Sequence, residues 1–217
     1  MELPALFVNF KTYEEGTGGK AEELAGLCED IFLDTEKTIV PVVQVSDLHR
    51  VSQKVDIHIY GQRMDPVGYG SNTGHVLPEG LKSNGASGVI INHSEDRREE
   101  DIIRRCIDRA SGLGLKTMVC AKDPEEAGKI SQMGPDIVAI EPPELIGGDV
   151  SVSTAKPEVI RQSLERVSQP LICGAGIKSR EDVEVALDLG AEGVFVASGV
   201  VKSDNPREKL RELVQPL

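Results

Sequence analysis

The sequence predicts an α/β fold: a single (β/α)8 barrel with shortened helices, one domain over residues 1–217. Three observations carry that reading. Eight short runs rich in Val and Ile recur along the chain, mostly apolar without alternation, as strands buried on both faces are. Each run is followed by a segment with helical spacing or helix-start signals, and strict alternation implies right-handed crossovers and a parallel sheet. The 217 residues allow about 27 per βα unit, fewer than the roughly 250-residue chain typical of this barrel provides. The shortfall predicts clipped helices. An open doubly wound sheet is the alternative.

In chain order the runs are Ala5–Val8, Thr38–Val43, Ile57–Gly61, Gly88–Ile91, Leu115–Cys120, Asp136–Ile140, Pro170–Cys173 and Gly193–Ala197. After the first, Leu24, Ala25, Cys28, Ile31 and Phe32 form an apolar stripe at helical spacing. After the second, Ser46–Gln53 leaves room for only a short helix. After the fourth, Ile102, Ile103, Cys106, Ile107 and Ala110 form another stripe, with Glu100–Arg104 and Asp101–Arg105 as i,i+4 pairs on the outer face. The charge run Asp96–Arg105 therefore reads as a solvated helix face. Asp123-Pro124-Glu125-Glu126 and Asn205-Pro206-Arg207-Glu208 each place an N-cap, a proline at N1 and a carboxylate at N3, and Ser179-Arg180-Glu181-Asp182 is a capping box.

Composition narrows the function classes. With 24 Lys+Arg against 36 Asp+Glu, the net charge of −12 argues against a nucleic-acid or anionic-membrane surface. No apolar run approaches the ~20 residues of a membrane span. MELPALFVNF lacks a basic region and a small-residue cleavage site, so no secretory signal is visible. Cys28, Cys106, Cys120 and Cys173 lie far apart and read as reduced, buried thiols of a cytoplasmic protein. His49, His58 and His75 lack metal-ligand spacing, so no metal is expected. Asn92-His93-Ser94 fits the glycosylation pattern, which a cytoplasmic chain never presents to that machinery.

In a parallel barrel the residues just beyond each strand form the site. Three ionisable groups of different kinds fall there: Lys11, His93 and Glu141. Each also has a plain structural reading, as a surface lysine, a hydrogen-bonded histidine or a loop carboxylate. Glu141 walled by apolar residues would serve as a general base. Ser94 as the cap of a helix beginning at Glu95 would set His93 beside a positive dipole end, favouring neutral imidazole. Lys11 would supply a fixed positive charge for an oxyanion or a phosphate. Cys173-Gly174-Ala175-Gly176 and Ala197-Ser198-Gly199 end the last two strands, where barrels often bind phosphate through backbone N–H groups. The Pro142–Thr154 stretch, longer than the roughly 2–6 residues of an ordinary βα loop, reads as a lid or as a disordered loop.

At these residues the chain resembles the triosephosphate isomerase family, most closely its shorter, archaeal-type branch. The similar stretches are Val8-Asn9-Phe10-Lys11-Thr12-Tyr13, Ile91-Asn92-His93-Ser94-Glu95, Ala139-Ile140-Glu141-Pro142-Pro143-Glu144-Leu145-Ile146-Gly147, Cys173-Gly174-Ala175-Gly176-Ile177 and Val196-Ala197-Ser198-Gly199-Val200. The resemblance implies the fold named after the family, the TIM barrel. It implies a cofactor-free isomerase of glycolysis and gluconeogenesis that interconverts dihydroxyacetone phosphate and glyceraldehyde 3-phosphate. A glutamate base facing a neutral histidine is the chemistry described for that family. By resemblance Glu141 would carry a proton between C1 and C2, His93 would donate to the substrate oxygens, and Lys11, with Asn9 beside it, would balance their charge. The phosphate would meet backbone N–H groups at Ile146, Gly176, Ala197 and Ser198. Glu95 would brace Lys11 or a neighbouring subunit. The Asp65–Val76 loop resembles the one that docks into a partner, implying a homodimer or homotetramer. Where the branch shows Gly-Thr-Gly, this chain has Gly147-Gly148-Asp149, so Asp149 is expected to point away from the phosphate. Because the substrate is a dianion and the chain is acidic, a local positive potential is expected over the barrel mouth. The competing readings are another phosphate-binding barrel enzyme, which leaves His93 and Glu141 unaccounted for, and a catalytically inactive sensor of a phosphorylated metabolite.

Overall fold

The computed structural model describes residues 1–142 and 151–217. Eight parallel strands close into a barrel in sequence order. They are β1 (Ala5–Asn9), β2 (Thr38–Val43), β3 (Tyr60–Gly61), β4 (Gly88–Ile91), β5 (Lys116–Ala121), β6 (Ile137–Ile140), β7 (Leu171–Gly174) and β8 (Gly193–Val196). Pairing of Ala5 with Gly193 and of Val8 with Val196 closes the seam and excludes the open sheet.

The alternation of side chains along each strand divides the apolar residues into two cores. Ala5, Phe7, Val40, Val42, Tyr60, Ile90, Met118, Cys120, Ile137, Ala139, Ile172 and Phe195 fill the barrel interior. Leu6, Val8, Ile39, Val89, Ile91, Val119, Val138 and Val194 point outward and pack on the helices. Neither face meets water, which is why the strands read as unbroken apolar runs. Burying each such side chain contributes about 1.5–3 kcal/mol.

Strand β3 is shorter than the Ile57–Gly61 run. Only Tyr60 and Gly61 join the ladder, opposite Val42 and Val43 of β2 and Gly88 and Val89 of β4. Just before it, the Ser87 hydroxyl accepts from the Ile59 amide at 3.1 Å, so a side chain takes the place of a ladder bond.

The helices are clipped as the length requires. They are α1 (Gly19–Thr35), α2 (Leu48–Ser52), α3 (Pro78–Ser83), α4 (Glu100–Gly112), α5 (Pro124–Ser131), α6 (Val152–Ala155), α7 (Pro157–Leu164), α8 (Arg180–Asp188), α9 (Ser198–Val201) and α10 (Pro206–Val214). The caps at Asp123, Ser179 and Asn205 form, each side chain accepting from the backbone three residues on. All four cysteines are free and buried. No described helix is long and apolar enough to cross a membrane.

The charge run Asp96–Arg105 is only partly helical, because α4 begins at Glu100. Asp101 and Arg105 pair at 3.7 Å. Arg97 and Arg98 instead lie in the preceding loop and bind Glu126, Asp96 and Asp65. A turn closed by the Asp96 amide on the His93 carbonyl keeps this stretch out of the helix.

Candidate active site

Strand alternation sets much of the site. Phe7, Tyr60 and Ala139 face the interior, so two residues further on Asn9, Gln62 and Glu141 are turned toward the mouth. Glu141 is held there by its own amide, which donates to the Ala121 carbonyl at 2.8 Å. Its side chain is only 6% exposed. Gly174, facing inward from β7, makes room for it: a Cβ at that position would lie 2.6 Å from Glu141 Cγ and 3.0 Å from Oε1. The Cys120 thiol sits beside the carboxyl, and burial, then the Glu141 charge, push that thiol well above its ordinary pKa. It stays protonated next to the carboxylate.

His93 does not follow the alternation. Ile90 points inward and Ile91 outward, which would send residue 93 outward too. Asn92 breaks the pattern with a left-handed backbone, φ +62°, a conformation Asn tolerates better than most residues. Its side chain anchors the turn, donating to the Cys120 carbonyl at 2.9 Å and accepting from the Arg98 amide at 2.9 Å. His93 is thereby swung over the mouth, with Nε2 3.7 Å from Glu141 Oε1. The gap exceeds a hydrogen bond, so both groups keep free edges for a third molecule. Phe195 meets the imidazole edge to face, with ring centroids 6.1 Å apart.

The helix expected to begin at Glu95 is absent, and with it the dipole offered for a neutral His93. Nδ1 of His93 instead meets Glu95 twice, accepting from its backbone N–H at 3.2 Å and standing 3.8 Å from its carboxylate. An Nδ1 that accepts leaves the ring proton of neutral imidazole on Nε2, the nitrogen turned toward Glu141.

Lys11 also has a left-handed backbone, φ +48°. Its amide donates to Asn9 Oδ1 at 3.0 Å, and its carbonyl accepts from Gln62 Nε2 at 3.0 Å. Its ammonium pairs with Glu95 Oε1 at 2.7 Å, Lys11 being mostly covered and Glu95 open to solvent. Glu95 thus braces Lys11 within one chain.

These groups line an open cavity of about 530 Å³ at the carboxyl ends of the strands. Asn9, Lys11, Tyr13, His93 and Glu141 line it together with Ala175, Gly176, Ala197, Ser198 and Gly199. Seven of the eight site residues read from the sequence therefore meet at one cavity. The eighth, Ile146, lies outside the described residues, as do Asp149 and the rest of 143–150. Of the lid stretch, α6 is described, with the Ser153 hydroxyl donating to the Asp182 carbonyl at 3.0 Å. Chemically, the cavity brings together a carboxylate, an imidazole, an ammonium and glycine-rich backbone segments. Such a set can move a proton on a small anion while stabilising charge that develops on oxygen.

Three contributors escaped the site residues read from the sequence. Gln62 stood at a strand end, but nothing local marked its grip on Asn9 and Lys11. Arg97 and Glu126, paired at 3.1 Å, lie 29 positions apart, and only the barrel's β4–β5 neighbourhood joins them.

A family model described as triosephosphate isomerase matches residues 4–216. The triosephosphate isomerase of Methanothermobacter thermautotrophicus is 42% identical over 218 residues, covering 98% of this chain and 95% of its own length. That of Methanocaldococcus jannaschii is 41% identical over 215 residues, 97% of this chain and 98% of its own. That of Methanoculleus marisnigri is 42% identical over 222 residues and covers all of both chains. Among solved structures, the crystal structure of triosephosphate isomerase from Bartonella henselae matches with a TM-score of 0.72 at 20% identity, covering 96% of this chain and 98% of its own, a likeness of fold.

Proposed function

The chain belongs to the triosephosphate isomerase family, and on that premise we propose that Glu141, His93 and Lys11 interconvert dihydroxyacetone phosphate and glyceraldehyde 3-phosphate through an enediolate. The observation that carries the assignment of roles is the 3.7 Å approach of His93 Nε2 to Glu141 Oε1 across the mouth of the barrel. Starting from the aldehyde, the Glu141 carboxylate takes the proton from C2, and the C2–H electron pair moves into the C1–C2 bond. Negative charge develops on O1, where the His93 Nε2–H donates. The proton on O2 is exchanged for one on O1 by way of the imidazole, and Glu141 returns its proton to C1. Atoms and charge balance with no oxidant or reductant.

Glu141 suits the base because its side chain is almost wholly buried beside Gly174 and Cys120, and Oε2 has no hydrogen-bond partner among the described residues. Lys11, held 2.7 Å from Glu95, supplies a compensating charge that is already oriented. Asn9 keeps that lysine in place. The phosphate is assigned to the backbone N–H groups of Gly176, Ala197 and Ser198, and to that of Ile146, which lies outside the described residues. The lid read from the sequence over Pro142–Thr154 would exclude water and slow loss of phosphate from the enediolate.

We assign the protein to the cytoplasm, on the strength of its free, buried thiols, and to a homodimer or homotetramer built through the Asp65–Val76 loop. Tyr69 on that loop is 81% exposed, a large aromatic left for a partner to cover. Incubation with glyceraldehyde 3-phosphate in D2O, with no cofactor added, tests the reaction. The expected product is dihydroxyacetone phosphate carrying deuterium at C1. Protein that binds phosphoglycolate yet leaves the aldehyde unchanged would be a sensor of such metabolites instead.

A further inference from the structure

Arg97 is not among the residues that line the cavity, yet its guanidinium ties the end of β4, which leads to His93, to β5, the neighbour on which Glu141 is anchored. Nη1 donates to the Asn92 carbonyl at 3.3 Å and reaches the Cys120 carbonyl at 3.5 Å. The same nitrogen pairs with Glu126 Oε2 at 3.1 Å. Glu126 is itself fixed: its amide donates to the Asp123 cap at 2.8 Å, and its Oε2 accepts from the Lys122 amide at 2.7 Å.

The two carbonyls are not arbitrary. The Asn92 carbonyl belongs to the peptide whose nitrogen is that of His93, so holding it fixes the base of the imidazole. The Cys120 carbonyl lies one residue before Ala121, whose own carbonyl accepts the Glu141 amide at 2.8 Å. One guanidinium therefore ties the peptide of His93 to the strand that anchors Glu141. The need for such a tie follows from the left-handed Asn92. That residue takes the chain out of the β4 ladder, and nothing in the regular sheet then dictates where the next side chain goes.

We propose that Arg97, held by Glu126, is a positioning residue for the isomerisation: it locks the Asn92–His93 peptide against β5 and so sets the separation of His93 from Glu141. The proposal rests on the isomerase reading above. All three contacts converge on Nη1, which the planar guanidinium holds in a fixed direction, whereas a lysine ammonium sits on a flexible stem. Small displacements of a reacting group are costly, a shift on the order of 1 Å being worth about 100-fold in rate.

The test is steady-state kinetics of Arg97→Met, Arg97→Lys and Glu126→Gln beside wild type, with phosphoglycolate inhibition and thermal midpoints measured on the same preparations. Arg97→Met should lower kcat about tenfold or more while KM and phosphoglycolate inhibition stay within about twofold. Arg97→Lys should recover part of the loss. The 15N resonances of His93 should move in Arg97→Met, which a contact that merely staples a loop would not cause. A folded Arg97→Met protein with wild-type kcat overturns the proposal, whatever its thermal midpoint. Should Arg97→Met not fold, Glu126→Gln decides: it keeps an acceptor but loses the charge, and should lower kcat about threefold or more at constant KM. Unchanged kcat there also overturns the proposal. Wild-type protein without isomerase activity sinks the isomerase reading and this inference together. Active wild type with kinetically silent variants sinks the inference alone.

Discussion

The backbone amide of Glu95 donates to Nδ1 of His93 at 3.2 Å, two residues along the same turn. This bond makes Nδ1 an acceptor and hands the remaining proton to Nε2, 3.7 Å from Glu141. In the proposed mechanism His93 donates through Nε2. Replacing His93 with Gln should lower kcat by about 100- to 10,000-fold with little change in KM, as loss of a general acid does. Steady-state kinetics checks the loss. Nitrogen NMR of wild type should show a protonated Nε2 and a bare Nδ1.

Gly174 gives a test of placement without touching a charged group. An added Cβ would stand 2.6 Å from Glu141 Cγ, so that side chain must shift. Gly174→Ala should therefore push the carboxylate off its position and lower kcat about 100-fold. The same overpacking should cost about 1–3 kcal/mol of stability. Kinetics and urea unfolding on one preparation separate the two effects.

Asp65 closes the loop that is assigned to self-association. It is buried, accepts from the Val76 amide at 2.8 Å and pairs with Arg63 at 3.0 Å and Arg98 at 3.4 Å. Burial alone would raise its pKa, but the Val76 amide and the two guanidinium groups outweigh it and hold the carboxyl below the usual aspartate value. A folded value below the unfolded one means the stabilisation is present above the unfolded pKa of about 3.9 and is lost as pH falls through the folded value. Asp65→Asn should thus be less stable than wild type at neutral pH, with the difference shrinking below about pH 4. Urea unfolding across pH checks this. Light scattering should show the mutant shifted toward a smaller assembly, and a monomeric wild type would refute the oligomer.

Tyr60 occupies the barrel floor. Its ring fills the space that Gly88 leaves, where a Cβ would come within 2.4 Å, and it packs edge to face on Phe7. Its hydroxyl is buried with no hydrogen-bond partner among the described residues, and burial pushes its pKa well up. Tyr60→Phe removes an unsatisfied polar atom and keeps the ring. It should stabilise the protein by about 1 kcal/mol, a rise of roughly 2–4 °C in Tm for a chain this size. Calorimetry checks it, with kcat unchanged.

Strand periodicity and strand-end position were enough to locate most of this architecture from the residues. β2 and β4 match their apolar runs at both ends because both faces of those strands are buried. Glu141 and Asn9 follow from alternation alone. What escaped depended on partners distant in sequence or on single dihedrals. β3 shrank because the Ser87 hydroxyl takes over at Ile59. The helix expected at Glu95 gave way to a turn because Asn92 adopts a positive φ, a choice that residue type permits but does not dictate. The clasp of Arg97 on β5 needs the barrel closed before it exists.

The kcat of Glu141→Asp against wild type, in an assay coupled to consumption of dihydroxyacetone phosphate, tests the central claim most directly. Shortening the carboxylate by one methylene keeps its charge and withdraws it from the reacting carbon by about 1 Å, so kcat should fall about 100-fold or more while phosphoglycolate still binds. Turnover of Glu141→Asp at the wild-type rate, in protein shown to be folded, would contradict the assignment of Glu141 as the group that carries the proton.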